Sequence, residues 1–321
     1  LATIAGIGIA IWTIGWVGFE PVMKAVTRLG MGGFLALCVY NLGLLGVLGL
    51  AWWVVAPGVP AARSPIFMWG RTTREAASDV LPFSQLGGLV VGGRTVTGFG
   101  IPSSLTYASM IADLTTEMAA QLVVTVFGVA ALFLAIGGNV QHNAILHLSF
   151  LGLGLAVLIL LAFSIFQRPM LKFASKLSST MLPGAVAATD DVRDRLGWIY
   201  GHPGRVGASF LLNLLGWVAS GVSAWIALRL MGVEITPGRV MVIESLIFAL
   251  RGIAFMIPGA IGLQEGAYVL LGPVFGLDPS IALALSLFKR ARDIAIGIPA
   301  LIVWQIGEGR SLIPHRRAPG A

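Results

Sequence analysis

Charged side chains set inside apolar stretches are where this chain could do chemistry. Glu75, Arg94, Asp113 and Glu117 form one group; Glu244, Arg251, Glu265, Lys289, Arg290, Arg292 and Asp293 form a second. Asp113 and Glu117 are four apart, and Lys289, Arg292 and Asp293 are three and four apart, so on helices each set shares a face. A charge near the bilayer centre costs about 2.5–3.5 kcal/mol on insertion scales, so such residues need an opposite charge or a watery cavity. The bland reading is ion pairing that only fixes a helix bundle, with some Lys and Arg reaching headgroup depth. The sharper reading gives Arg94, Arg251 and Arg290 an anionic or polar group of a transported substrate to contact. Glu75, Asp113, Glu117 and Glu265 would then hold those arginines, meet a cationic group or take up protons. Arg292 and Asp293 complete that translocation set.

These groups sit in two stretches that resemble one another at an offset of 176 residues. Pro82 falls on Pro258, Phe99-Gly100 on Phe275-Gly276, and Ser104 on Ser280. Glu75 falls on Arg251 and Asp113 on Lys289, so two charges change sign, as expected of complementary halves meeting at one seam. Pro82, Gly87 and Gly88 in the first stretch, and Pro258, Gly262 and Gly266 in the second, predict breaks in the helices. Broken apolar segments carrying charge, in corresponding positions of two halves, point to a transporter's central site. Broken helices also free backbone groups at membrane depth, tolerated where protein or a water-filled cavity receives them.

The elements that must position these residues are membrane spans. Of 321 residues, 57% are hydrophobic and only 11% charged, with mean hydropathy +0.90. Soluble domains carry about 25% charged residues, so lipid is the expected solvent. Spans are predicted at 1–18, 33–56, 102–137, 145–166, 205–230 and 279–305. Residues 1–18 lack a cleavage-site pattern and read as a membrane helix rather than a signal peptide. Residues 20–30 predict a short surface helix, and 57–74 a polar connection with Arg63, Arg71 and Arg74. Trp52-Trp53 suits an interfacial belt, and Gly43, Gly46 and Gly49 suit close helix packing. Residues 167–204 read as a basic amphipathic surface helix and hinge, with Arg168, Lys172 and Lys176 on one face.

The fold class expected is an all-α polytopic membrane protein, one integral domain over 1–321. It would have about six full spans and two re-entrant hairpins, in inverted repeats of about 57–137 and 239–305. Counting Lys and Arg in the loops puts both termini on the cytoplasmic side, and three spans between the broken segments invert one repeat relative to the other. The net charge of +7 fits orientation and anionic headgroups better than nucleic acid.

Other chemistries have no foothold. Cys38 is the single cysteine and the four histidines are scattered, so no disulfide or metal site is expected. There is no GxSxG elbow, HExxH, Walker loop or dinucleotide fingerprint, so no cofactor and no enzymatic activity are expected.

The wording "EAASDVLPFSQLGGLVVGGRTVTGFGIP" followed by Asp113 and Glu117, and "IPGAIGLQEGAY" followed by Gly276 and Arg290, resembles the lysylphosphatidylglycerol synthase transmembrane family. The resemblance covers about residues 1–305, and its wording is most like the stand-alone HpnL-type members found with hopanoid biosynthesis. It implies movement of a lipid between leaflets rather than its synthesis, which in fused members belongs to a separate soluble domain. Glu75, Pro82, Gly88, Arg94, Glu265 and Arg290 match the family's positions. The leading expectation is a flippase-like translocase for a hopanoid, or for an anionic or aminoacyl phospholipid. The alternatives are a scaffold that gathers lipid-biosynthesis enzymes and, less favoured, a membrane enzyme using Asp113 and Glu117 on a lipid head. No nucleophile–base set accompanies that acid pair.

Overall fold

A computed structural model describes residues 19–80, 84–136, 183–253 and 262–311, with a few positions between 154 and 161. The described residues form helices and connecting turns, with no strand among them. In chain order the α-helices are α1 (Phe19–Val54), α2 (Ser64–Val80), α3 (Ser84–Gly98), α4 (Ser103–Ile136), α5 (Pro183–Tyr200), α6 (Pro203–Leu230), α7 (Pro237–Ile253), α8 (Leu263–Leu271) and α9 (Pro279–Ser311). Four of them start on proline, whose fixed φ suits a first turn and whose absent N–H would have no partner there.

Among the described residues, three stretches are long and apolar enough to cross a membrane: Thr27–Val54, Ser103–Leu134 and Pro203–Leu230. They match the predicted spans at 33–56, 102–137 and 205–230. The last predicted span lies inside α9, where Lys289, Arg290, Arg292 and Asp293 make the helix too polar to stand with those three. The predicted spans 1–18 and 145–166 lie outside the described residues, apart from scattered positions of the second. Residues 20–30 belong to α1, which breaks at Gly30 (φ 66°, ψ 168°), a conformation that glycine adopts without a steric penalty.

The residues read as a polar connection are the main departure. Residues 64–80 form α2, which packs along α1, α3 and α9. Gly87 and Gly88 are not breaks; both lie within α3. A Cβ on Gly88 would stand 2.1 Å from Ser78 Oγ and 2.6 Å from Arg74 O, so this glycine lets α3 press against α2. Gly266 likewise lies within α8, whereas Gly262 is a true interruption, capping α8 at φ 82°. Pro82 and Pro258 lie outside the described residues, in the stretches where α2 gives way to α3 and α7 to α8.

Trp52 is not interfacial. It is fully buried, meets Phe67 edge-on at 5.5 Å, and donates its indole N–H to Ser109 Oγ at 3.0 Å. Of the predicted hinge, Arg168, Lys172 and Lys176 lie outside the described residues, but 183–200 is helical. Val192, Leu196 and Ile199 of this α5 pack against Ala108 and Ala112 of α4.

Large apolar side chains cover the outside of the long helices, including Val39 and Leu42 on α1, Val123 and Phe127 on α4, Leu211 and Leu215 on α6, and Ile298 and Ile302 on α9. Charged groups are buried between helices instead. That arrangement suits hydrocarbon outside, and the chain is a membrane protein.

The offset of 176 residues seen in the sequence runs through the helices as well. Thr27–Val54 falls on Pro203–Leu230, α4 begins on the position equivalent to the start of α9, and Gly100 (φ 78°) falls on Gly276 (φ 81°). Helix contacts exchange in the same way: α4 packs on α7 and α9 on α2. The equivalent helices α1 and α6 run antiparallel. Gly33 lies against Leu230, Tyr40 donates to Ala219 O at 2.9 Å, and Leu48 lies against Gly216.

Candidate functional site

Two buried ionic clusters face one another's helices. In the first, α2 presents Arg71, Arg74 and Glu75 one turn apart, and α4 presents Asp113 and Glu117. Arg71 is 1% exposed and Asp113 wholly buried. Glu117 accepts Nη1 of Arg71 and Nη2 of Arg74 on Oε2, each at 2.9 Å, and a further N–H of Arg71 on Oε1. Both guanidiniums reach Asp113 Oδ2 at the longer distance of 3.4 Å, and Arg71 also meets Glu75 at 2.8 Å. From α6, Asn213 Nδ2 donates to Asp113 Oδ1 and to Thr116 Oγ, both at 3.1 Å.

The second cluster lies on α7, α8 and α9. Lys289 donates to Glu244 and, at 2.9 Å, to the Tyr268 hydroxyl, which itself donates to Glu244. All three are buried. Lys289 occupies the position equivalent to Asp113, so the same place on the final helix of each half carries a buried charge of opposite sign.

Glu265 is 1% exposed, in the first turn of α8. Its Oε2 accepts the N–H of Gly262 at 2.7 Å, capping the helix, and its Oε1 accepts Nε and Nη2 of Arg290 at 2.9 and 2.7 Å. A carboxylate there is favoured by the helix end, which leaves its first N–H groups unpaired. Arg292 is buried and donates to neighbouring Asp293 at 2.8 Å, within electrostatic reach of Glu244 and of Asp79 on α2. Arg94, on α3, has a side chain 52% exposed and pairs with Glu308 on α9.

The structure therefore redistributes the predicted set. Glu75, Asp113 and Glu117 are brought together, but on Arg71 and Arg74 rather than on Arg94 or Arg290. Asp113 and Lys289 do not pair across a seam; each meets its counter-charges within its own half. The halves meet through other charges, Arg94 with Glu308 and Asp79 near Arg292. Arg251 lies in α7, and its side chain is outside the described residues. Sequence reasoning missed Arg71, Arg74, Asp79, Tyr268 and Asn213 as site residues. The signal available was the spacing of Arg71, Arg74 and Glu75, which on a helix makes one charged stripe.

The half-exposed pair on Arg94 should matter little to the fold. Arg94→Gln is expected to change thermal stability in detergent by no more than about 1 kcal/mol, the range for solvent-exposed ion pairs. A loss of several kcal/mol in a melting experiment would contradict this placement.

The family model described as lysylphosphatidylglycerol synthase TM region matches residues 3–300. No curated protein and no solved structure matches the chain.

Proposed function

The chain belongs to the lysylphosphatidylglycerol synthase TM region family, which ties it to lipid handling in a membrane, and from that premise we propose that it moves a polar-headed lipid between the two leaflets without altering it chemically. The observation that carries this reading is the antiparallel packing of the equivalent helices α1 and α6, together with buried charges at equivalent positions of α4 and α9. We infer an inverted duplication of α1–α4 and α6–α9, wider than the units read from the sequence. Inverted repeats with binding near the midplane allow the same site to open to either side in turn.

In this reading α2–α3 and α7–α8 are the re-entrant hairpins. At a rise of about 1.5 Å per residue, α8 is about 13 Å long, less than half of a hydrocarbon core of about 30 Å. Its capped N-terminus, Glu265 and the partly open Arg290 mark where an anionic or hydroxylated head would pass. Arg94 is the exposed cation at the contact between the halves. The lipid would be a hopanoid or an anionic or aminoacyl phospholipid, its tails remaining in the bilayer. The membrane would be a bacterial inner membrane, with both termini on the cytoplasmic side. Lipid-biosynthesis enzymes would be its neighbours.

The test is transbilayer movement of headgroup-labelled lipids in liposomes holding the purified protein. Wild-type protein should speed it, and Arg94→Gln should abolish it while leaving the protein folded. Normal movement by that variant removes Arg94 from the lipid path. If wild-type protein moves no lipid, while partner enzymes copurify and the charge-neutral variants still function in cells, the scaffold reading replaces this one.

A further inference from the structure

The cluster on α2 and α4 is not electrically balanced. Three carboxylates, Glu75, Asp113 and Glu117, meet two guanidiniums, Arg71 and Arg74. With all five ionised, one negative charge is left in a site from which water is largely excluded, where an uncompensated charge is strongly disfavoured.

Asp113 is the carboxylate that the arginines serve least. Both stand 3.4 Å away, against 2.9 Å for Glu117 and 2.8 Å for Glu75. It has no exposed surface, whereas the Glu75 side chain is 32% exposed at the rim. Its other oxygen, Oδ1, faces a neutral amide, Asn213.

Asn213 supplies the independent observation. It is wholly buried; its Nδ2 serves Asp113 and Thr116, and its Oδ1 has no hydrogen-bond partner among the described residues. An amide offers donors on one side and an acceptor on the other. A buried acceptor left unpaired costs about 1–3 kcal/mol. Turning the amide by half a rotation would aim that oxygen at Asp113, where only a protonated carboxyl could donate to it. One side chain thus fits both protonation states of Asp113.

We propose that Asp113 binds an exchangeable proton, with Asn213 as its two-way partner, and that lipid movement is coupled to this proton. The coupling rests on the lipid-moving reading above; the proton site does not. In the step, an O–H bond forms on Asp113 Oδ1, the proton comes from bulk water, the carboxylate loses its charge, and no electron moves. Glu75 opens the cluster at its rim. On the other side the hydroxyls of Thr116 and Ser209, 2.8 Å apart, continue from Asn213 toward the exposed first turn of α6.

Of the described charged or titratable groups on the helices around α4, Arg195 and Tyr200 on α5 bond Ser104 and Thr115, Arg205 on α6 donates to Val54 O, Glu244 on α7 holds Lys289, and Arg94 on α3 holds Glu308. Arg71, Arg74, Glu75, Glu117 and Asn213 meet Asp113 or its arginines and set the proton's affinity.

Infrared difference spectra of the purified protein in liposomes, recorded on a pH jump, read the site without any lipid assay. A protonated-carboxyl band should appear on acidification, vanish in Asp113→Asn, and appear at a less acidic pH in Asn213→Leu, which lacks the N–H that favours the carboxylate. Glu117→Gln leaves two carboxylates for two guanidiniums, so the band should persist but require a more acidic pH. In the lipid assay, wild-type movement should respond to a pH gradient and Asp113→Asn movement should not. Absence of the band near neutral pH, or its survival in Asp113→Asn, overturns the proton site. The band without lipid movement by wild-type protein leaves the site standing and removes the translocase. Lipid movement with the band, but indifferent to the gradient, removes the coupling.

Discussion

Replacing Arg71 by methionine is expected to lower stability by about 3–5 kcal/mol, the cost of removing one partner from a buried ionic group. The guanidinium touches Glu75, Asp113 and Glu117 at once and is 1% exposed. Without it, Arg74 alone would face Asp113, which is wholly buried, and Glu117, which is mostly buried, and Glu75 would lose its ion pair with Arg71. Marginal stability makes such a loss visible as a fall in folded yield. Pairing the change with Glu117→Leu should recover much of it, because an apolar pair of similar volume is often as stable as the ion pair it replaces. Melting of the detergent-solubilised single and double variants checks both statements. An Arg71→Met protein within about 1 kcal/mol of wild type would contradict the first, since that is the range of an exposed pair.

Gly49→Val is expected to prevent α1 and α2 from docking. A Cβ at Gly49 would stand 2.3 Å from Met68 Cα and 2.7 Å from Met68 N. Those are backbone atoms, so no side-chain rotation relieves the clash. Overpacking costs about 1–3 kcal/mol where side chains can yield, and here the helix itself must shift. The neighbouring glycines are the control. Gly43 and Gly46 have nothing within 4 Å of an added Cβ, so alanine there should be neutral or stabilise by about 0.5–1 kcal/mol through helix propensity. Monodispersity on gel filtration and the melting midpoint distinguish the three variants; similar behaviour of all three would remove the contact.

The glycines show where local pattern stops informing. Gly43, Gly46 and Gly49 recur at one spacing, yet only Gly49 meets a backbone. Gly87-Gly88 and Gly262–Gly266 carry the same break-like wording, yet Gly88 seats one helix on another while Gly262 caps the start of α8. A glycine permits both outcomes, and the neighbour decides between them.

The buried arginines illustrate the same limit. Residues 57–74, with Arg63, Arg71 and Arg74, read as a polar connection. In the structure the charges of α2 are matched by residues 42 and 46 positions further along the chain. No local window contains that partner. Asp113 and Lys289 were legible as charges at equivalent positions, but their partners, Arg71 with Arg74 and Glu244, were not.

The sequence by itself determined the solvent, the three long apolar helices, the repeated spacing and most of the charges at stake. Those follow from composition and from periods within one helix, which every residue carries with it. Only the tertiary structure decided that α2 is a helix packed against α1, α3 and α9, that Asp113 and Lys289 meet their counter-charges within their own halves, and that Asn213 stands over Asp113 with an oxygen unpaired among the described residues. Such facts depend on which helices touch, and the free energy of a buried charge is set by what lies across the interface rather than by what lies beside it in the chain.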